Sequence, residues 1–247
     1  MAEKNTVTGM VLKAMPMGEY NKRITLLTKE YGKIAAFAKG ARRPGNQLMA
    51  ATEPFAFGQF ELFEGRSSYT VSKAEITQYF RDLSTEPILA CVGFYFLELA
   101  DYFSQENVEA REQLLLLHQS LKALERPQFH PRLVRCIYEL KTLFISGEYP
   151  NVFRCVKCGT KENLQGFHIS LGGVLCKDCM TKYGGERIDQ SVLYTIQFVI
   201  STPIAKLFSF RVNDKVLESL ENILAKYMDH YVNHKFQSLK ILKDMLY

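Results

Sequence analysis

The first 80 residues alternate apolar with small or polar positions in short runs, separated by turn signals. The predicted strands cover residues 6–12, 23–28, 34–38, 55–63 and 68–76. Five short strands in succession suit a small antiparallel barrel, and an OB-type barrel is one candidate. Strand count alone does not separate an OB-type barrel from an SH3-like barrel, so both types stay open from the pattern.

After Leu83 the apolar positions recur at helical spacing instead. Ser84 can act as the N-cap of a first helix that has Pro87 in its first turn. Gly147 and Pro150 end the third helix. The predicted helices cover about residues 84–103, 108–124, 133–144, 190–201 and 214–231, and a short segment follows them.

Strands followed by helices predict an α+β chain with an N-terminal five-stranded β-barrel and then an all-α helical domain. The four predicted parts are the barrel, a first helical part, a Cys-bearing part and a C-terminal helical part. Their ranges are residues 1–80, 81–150, 151–187 and 188–247.

Charge is unevenly distributed along the chain. The 247 residues carry 31 Lys and Arg against 26 Asp and Glu, a net charge of +5. Residues 1–50 have nine basic and three acidic side chains, and residues 151–187 have six and three. Residues 81–150 have seven basic and ten acidic side chains. This distribution indicates a surface that faces a polyanion, although a solvated charged face is the plainer interpretation.

Four cysteines form the strongest motif in the chain. Cys155 and Cys158 are separated by two residues, and after 17 intervening residues Cys176 and Cys179 repeat that spacing. Such spacing is typical of a four-thiolate zinc site, and a hairpin turn at residues 172–173 would bring the pairs together. Four thiolates close the coordination sphere and leave no position for water. The motif therefore predicts one structural zinc ion.

Other interpretations of the sulfur and imidazole groups carry less weight. Two redox-active C-x-x-C pairs would need a βαβ context, which the pattern lacks. His168 lies between the Cys pairs and is interpreted as a bystander. Cys91 and Cys136 are expected to be buried structural thiols. His230 and His234 are expected to lie on a solvated face of a helix.

A basic loop at residues 39–45 is the candidate nucleic-acid contact. Its cations, on a backbone with Gly and Pro, can reach successive phosphates at a barrel rim, while exposed Tyr20 or Tyr31 can stack bases. An ordinary polar hairpin explains the same composition equally well. The residues predicted to bind DNA are Lys22, Arg23, Lys33, Lys39, Arg42 and Arg43.

Motifs for catalysis and for membrane insertion are absent from the sequence. It contains no phosphate-binding loop, nucleophile elbow, H-E-x-x-H helix or paired catalytic carboxylates, so we predict no catalytic residues. The longest uncharged stretch, residues 190–205, is shorter than the roughly 20 apolar residues of a spanning helix. With six cysteines and no apolar signal core, we expect a protein of the reducing cytoplasm.

Several short motifs follow one another along the chain in a recognisable order. They lie at residues 9–12, 18–19, 27–33, 38–44, 60–63, 147–150 and 155–179. Together they resemble the bacterial DNA repair protein RecO family over most of the chain, and less distinctly after about residue 188. Some members of that family lack the cysteines, so this chain resembles the zinc-bearing type.

The resemblance implies an OB fold, a helical domain and an inserted zinc ribbon in a non-enzymatic, nucleoid-associated protein. It implies binding of single- and double-stranded DNA, annealing of complementary strands and, with RecR, loading of RecA onto SSB-coated DNA. It also implies that the acidic C-terminal tail of SSB docks on the helical domain. Arg132 and Arg135 are the cations that we nominate for that tail.

Two other classes of function stay open at this point. A zinc-containing nuclease or DNA-modifying enzyme would need a catalytic site that the sequence does not reveal, and a closed four-Cys site argues against zinc chemistry. A non-enzymatic adaptor would bind proteins and contact DNA only incidentally. Loss of repair function on replacing the basic loop would distinguish the mediator from the adaptor.

Overall fold

The N-terminal part of the chain folds into a closed five-stranded barrel. The computed structural model describes residues 4–65 and 68–246. The strands are β1 (Lys4–Met17), β2 (Asn21–Thr28), β3 (Gly32–Ala38), β4 (Phe57–Glu64) and β5 (Tyr69–Gln78). Their order around the barrel is β1-β2-β3-β5-β4.

The pairing of the strands decides the barrel type. β1 pairs antiparallel with both β2 and β4, and β3 pairs in parallel with β5. The remaining pairs, β2 with β3 and β4 with β5, are antiparallel. This closed five-stranded order is the OB-type arrangement, so that prediction is confirmed and the SH3-like alternative is wrong.

The barrel interior follows the predicted alternation. In β3, Ile34, Ala36 and Ala38 are buried while the residues between them are partly exposed. Successive strand residues point to opposite faces, so one face of each strand can fill the core. The other core side chains include Val7, Val11, Ile24, Leu26, Phe60, Leu62 and Val71.

Strand β1 is longer than its predicted range of residues 6–12. It continues in register with β2 as far as Met17, and Gly18 at φ +60° makes the turn. The register shifts between Val11 and Lys13. An extra residue at such a bulge interrupts the period-two pattern, which explains why the pattern did not reveal the second half of the strand.

Four helices accompany the barrel. They are α1 (Leu48–Ala51), α2 (Pro87–Phe103), α3 (Arg111–Leu124) and α8 (Gln237–Leu246). A 3-10 turn at Arg81–Thr85 precedes α2, and Glu86 occupies the N-cap position with Pro87 first in the helix. The prediction of Ser84 as the N-cap is therefore wrong, because Pro87 has the fixed φ suited to the first helical position.

Packing divides the described residues into two units. The barrel unit comprises the residues up to Glu125 and those from Phe236 onward, and the ribbon unit comprises Arg126–Lys235. Helix α8 belongs to the barrel unit, where the Glu98 carboxylate of α2 accepts hydrogen bonds from the Ser238 amide and hydroxyl groups. The four sequence-based parts remain a prediction about domains.

The ribbon unit combines helices with a small three-stranded sheet. Its helices are α4 (Pro131–Ile145), α5 (Lys177–Tyr183), α6 (Gln190–Ser201) and α7 (Asp214–Tyr231). Its strands are β6 (Leu164–His168), β7 (Gly173–Cys176) and β8 (Glu186–Arg187), in the order β7-β6-β8. No helix in the described part of the chain is long and apolar enough to cross a membrane.

Candidate metal centre and nucleic-acid surface

The four motif cysteines come together at one end of the small sheet. Cys155 and Cys158 lie on a turn, Cys176 ends β7 and occupies the N-cap position of α5, and Cys179 lies in the first turn of that helix. Their sulfur atoms all lie within 4.8 Å of one another. The tertiary structure thus assembles the four predicted ligands into one cluster.

The spacing of the sulfur atoms fits a tetrahedral metal. Cys158 Sγ and Cys176 Sγ are 3.7 Å apart. A tetrahedral zinc ion with Zn–S bonds of about 2.3 Å requires edges of about 3.8 Å between sulfurs. Four sulfur ligands with no fifth position suit a structural metal ion.

Backbone amides stabilise the thiolate of Cys155. Burial opposes its ionisation, but hydrogen bonds from the backbone of Cys158, Cys176 and Lys157 lower the pKa of Cys155 to about 6. Burial and the neighbouring sulfurs instead raise the pKa of Cys179, to about 12. The thiolate is the form that binds a metal, so the turn prepares Cys155 as a ligand.

Glycines allow the two halves of the cluster to meet. Gly172, at φ +69°, makes the predicted turn between β6 and β7. A Cβ atom on the next residue, Gly173, would lie 2.2 Å from the carbonyl oxygen of Asn151, so only glycine fits there. This close approach holds the segment before the first Cys pair against β7.

The histidines of this unit lie outside the metal cluster. His168 Nδ1 accepts a hydrogen bond from the Leu171 amide, and among the described residues it is not one of the clustered ligands. His230 and His234 are both exposed. Helix α7 ends at Tyr231, so the expectation that both lie on one helix face is wrong.

The remaining two thiols differ in exposure. Cys136 is buried in α4, as expected, and burial raises its pKa well above the ordinary value. Cys91 is only partly buried, and its sulfur contacts Met245 Sδ at 3.6 Å. The expectation of two fully buried thiols therefore holds for Cys136 and is wrong for Cys91, which lies near the surface beside α8.

The basic loop after β3 is tied to the turn between β1 and β2. The Arg42 guanidinium donates to the Gly18 carbonyl oxygen at 3.1 Å, and the Arg42 amide donates to the Tyr20 carbonyl oxygen at 2.9 Å. The Arg43 guanidinium lies 4.8 Å from the centre of the Tyr20 ring. We call residues 18–20 and 39–45 the loop pair.

Exposure makes the loop pair a candidate for phosphate binding. Lys39, Arg42 and Arg43 are all exposed, and Tyr20 is 39% exposed. The Gly40 amide donates to Asn21 Oδ1 at 2.8 Å, which holds the start of the loop beside β2. Three cations and an aromatic ring therefore lie on one surface, formed by two loops that hydrogen bonds hold together.

The outer face of the barrel continues this surface. Arg23 is exposed and pairs in register with Met15 on β1 and Phe37 on β3. Directly paired residues project from the same face of a sheet. A cation between two apolar side chains thus adjoins the loop pair, and Met15 at 60% exposed is available to a ligand.

Two of the predicted DNA-binding lysines have carboxylate partners inside the barrel unit. Lys22 is buried and donates to Glu53 Oε1 and to the Met49 carbonyl oxygen. Lys33 donates to the Asp101 carbonyl oxygen at 2.6 Å and lies 3.3 Å from its carboxylate. The structure therefore groups Arg23 and the three loop cations, while Lys22 and Lys33 are tied to α1 and α2 respectively.

The two arginines of α4 share one carboxylate. Arg132 and Arg135 both donate to Glu221 of α7, Arg132 through two of its nitrogens. Arg135 also lies 3.9 Å from Glu139, one turn farther along α4. Both arginines thus face α7, where ion pairs with acidic side chains hold them.

Comparison with known proteins covers both units. The family model described as "Recombination protein O N terminal" matches residues 1–80, and that described as "Recombination protein O C terminal" matches residues 86–240. The chain belongs to the RecO family. The resemblance to this family that the sequence motifs indicated is confirmed. The match extends well past residue 188, where the motifs became less distinct.

Curated RecO relatives align over nearly their whole length. DNA repair protein RecO from a Thermoanaerobacter species is 30% identical over 96% of both chains. The RecO protein of Alkaliphilus metalliredigens is 31% identical over 95% of this chain and 97% of its own. That of Caldicellulosiruptor saccharolyticus is 32% identical over 95% and 94%. The chain is accordingly a DNA repair and recombination protein of the RecO family.

Sequence reasoning missed some parts of the RecO barrel surface. Met15, Met17 and Phe37 add exposed or partly exposed apolar area beside the cations. The extension of β1 past its bulge places Met15 and Met17 on this face. Continued alternation after residue 12 was the only sequence signal for them, and the bulge obscured it.

Proposed function

We propose that this protein is a non-enzymatic recombination mediator that binds single- and double-stranded DNA through the outer barrel face and anneals complementary strands. With RecR, it helps to load RecA onto DNA coated with SSB. The observation that carries the proposal is the loop pair, which places exposed Lys39, Arg42 and Arg43 on two bonded loops of an OB-type barrel, with Arg43 over the exposed Tyr20 ring. OB folds bind oligonucleotides on the face of their second and third strands and through the loop between their first and second strands.

The chemistry of this face supports binding without sequence selection. The three loop cations neutralise phosphates, and their binding to the backbone is independent of base identity. Tyr20 offers a ring on which an unpaired base can stack, and Phe37 and Met15 offer apolar contact beside Arg23. Neutralising the charge on two strands lowers their repulsion and so raises the rate at which complementary strands pair.

We propose zinc as the metal of the four-Cys cluster. Four thiolate ligands favour zinc, and the 3.7 Å between two of the sulfurs matches the edge of a tetrahedron with Zn–S bonds of about 2.3 Å. The bound ion would hold the turn at Cys155 and Cys158 against α5. Because the four sulfurs complete its coordination, the ion has a structural role and activates no water in this proposal.

The SSB tail is proposed to dock on α4 beside Arg132 and Arg135. Both guanidinium groups bind the Glu221 carboxylate, and this pairing with an acidic side chain supports an acidic ligand here. An acidic peptide would exchange with Glu221 for these donors. The partner RecR, and RecA through it, enter the proposal from family membership alone.

The test of the proposed function measures the annealing of complementary oligonucleotides, with fluorescence as the signal. The wild type is compared with Lys39/Arg42/Arg43→Ala and with Lys4/Lys73/Arg111→Ala. The control removes the same charge from surface ion pairs elsewhere in the barrel unit. We expect the wild type and the control to accelerate annealing and the loop variant to lose most of that acceleration.

Salt dependence adds a second measure of the same site. Neutralising three phosphates on a single strand contributes about 2 to the slope of log affinity against log salt. The loop variant should lose about that much slope. Equal annealing by all three proteins would contradict the DNA site, and the absence of acceleration by the folded wild type would favour the adaptor. Cleavage of labelled DNA with Mg²⁺ or Mn²⁺ would indicate an enzyme.

A further inference from the structure

We propose that the metal-binding ribbon carries a second binding site for single-stranded DNA, centred on Tyr183 and flanked by Lys157 and Lys182. This site lies in the ribbon unit and is separate from the barrel surface of the proposed function. Its ligand is an unpaired strand, because a base can stack on an aromatic ring only when it is free of its own helical stack.

The side chains themselves form the first part of the argument. Tyr183 ends α5 and is 44% exposed. The Lys157 ammonium lies 5.0 Å from the centre of its ring, and the Lys182 ammonium lies 5.4 Å from it. Both lysines are exposed, so a phosphate can draw either ammonium from the ring while a base takes its place. One aromatic ring between two exposed cations matches a nucleotide and its two phosphates.

The position of these residues relative to the cysteines is the second part. Lys157 lies between Cys155 and Cys158 on the first ligand turn, whereas Tyr183 follows Cys179 on α5. The contact between the lysine and the ring therefore joins the two halves of the metal cluster. A metal ion that unites the four sulfurs would also hold this pair in place.

Charge near the ring favours a polyanion. Residues 151–187 carry six basic and three acidic side chains. Of the acidic ones, Glu186 forms an ion pair with Lys226 of α7, which reduces its effect on an approaching phosphate. Asp178 and Glu162 are exposed and remain as opposing charges. The balance stays positive around Tyr183.

The experiment measures binding of fluorescein-labelled oligothymidylate by anisotropy, in full-length protein that already carries Lys39/Arg42/Arg43→Ala. In this background we compare Tyr183→Leu with Tyr183→Phe, since only the second keeps an aromatic ring. Lys157/Lys182→Gln is compared with Lys161/Lys206→Gln, which removes equal charge from other exposed lysines of the ribbon unit. A metal content of one ion per chain verifies that each variant has a folded ribbon.

We expect Tyr183→Leu to weaken binding about fivefold or more, as loss of one stacked base would, and Tyr183→Phe to bind like its parent. Lys157/Lys182→Gln should lower the salt slope by about 1.4, and the control pair should leave it unchanged. The two Tyr183 variants should have equal affinity for a duplex of the same length. Equal binding of oligothymidylate by Tyr183→Leu and Tyr183→Phe, or an equal effect of the control pair, would overturn the proposal.

The outcome separates this site from the barrel surface. If the loop substitutions alone abolish all binding, the ribbon site is excluded while the barrel proposal stands. If they leave binding intact and the ribbon substitutions then remove it, the ribbon site stands and the barrel proposal fails.

Discussion

The ammonium group of Lys141 donates a 2.9 Å hydrogen bond to the carbonyl oxygen of Thr202, just past the end of α6. The same buried group donates to Ile200 at 2.9 Å and lies 4.4 Å from the Phe144 ring centre. Carbonyl groups at a helix C-terminus lack partners within the helix and carry partial negative charge. Lys141 thus satisfies the end of α6 from within α4.

Replacing Lys141 with Met should lower the free energy of unfolding by about 2–3 kcal/mol, because buried carbonyl groups lose a charged donor. Urea denaturation of the metal-loaded protein measures the change. Lys206→Met, an exposed position in the same unit, serves as the control and should change stability little. A similar loss in both variants would show that the buried bonds contribute no more than a surface charge.

His118 gives the barrel unit a stability that depends on pH. Burial, and secondarily the charge of Lys122, lower its pKa to about 4. Its ring packs 4.3 Å from the Phe57 ring centre, and its Nε2 atom lies 3.2 Å from Gln78 Oε1. The folded state favours neutral imidazole, so this stabilisation is complete above about pH 6.5 and is lost as the pH falls towards 4.

His118→Asn removes that titration and should flatten the pH dependence of stability between about pH 6.5 and 4. Thermal unfolding of both proteins across this range provides the comparison. The nearby Glu125, whose pKa is raised chiefly by burial, works in the opposite sense and is present in both. Parallel pH profiles for the two proteins would exclude His118 as the source.

Removal of the metal should unfold the ribbon. Structural zinc contributes on the order of 10 kcal/mol of apparent folding free energy in small metal-binding folds. Cys176→Ser should therefore lose the bound ion and expose residues 151–187 to protease. Metal content by mass spectrometry and limited proteolysis measure both effects. Cys91→Ser changes a thiol outside the cluster, and it should retain one ion and the wild-type resistance to protease.

Tyr20 should discriminate between single and double strands. Its ring lies under Arg43 and is exposed, so Tyr20→Ala removes a stacking surface while keeping the loop cations. We expect oligothymidylate binding to weaken about fivefold or more and duplex binding to change little. Tyr20→Phe keeps the ring and should bind as the wild type does. A uniform loss on both forms of DNA would instead indicate that Tyr20 only positions Arg43.

Glu221 should compete with an acidic peptide for α4. Glu221→Gln removes the charge that Arg132 and Arg135 share. If the SSB tail docks there, the variant should bind a synthetic acidic tail peptide more tightly, as measured by calorimetry. Glu218→Gln, an exposed position on the same helix, is the matched control. Unchanged affinity in a folded Glu221→Gln protein would place the peptide elsewhere.

Local patterns were sufficient for most elements of this fold. The alternation in β3 and the helical spacing of apolar residues in α4 depend on which face each residue presents, and that face follows from backbone geometry alone. The Cys spacing likewise predicted all four clustered sulfurs, because a tight turn brings two thiols together within a few residues. The bulge in β1 and the N-cap of α2 were misjudged where the local signal was interrupted or ambiguous.

The sequence by itself determined the five strands, the main helices, the two Cys pairs and the basic loop, since each depends on residues that are close along the chain. Only the tertiary structure decided which cations share a surface. Lys22 is held by Glu53 and Lys33 by Asp101, whereas Arg23 lies exposed on the outer face beside the loop pair. Barrel closure and the carboxylates that other segments bring to each lysine decide this, and those partners are distant in sequence.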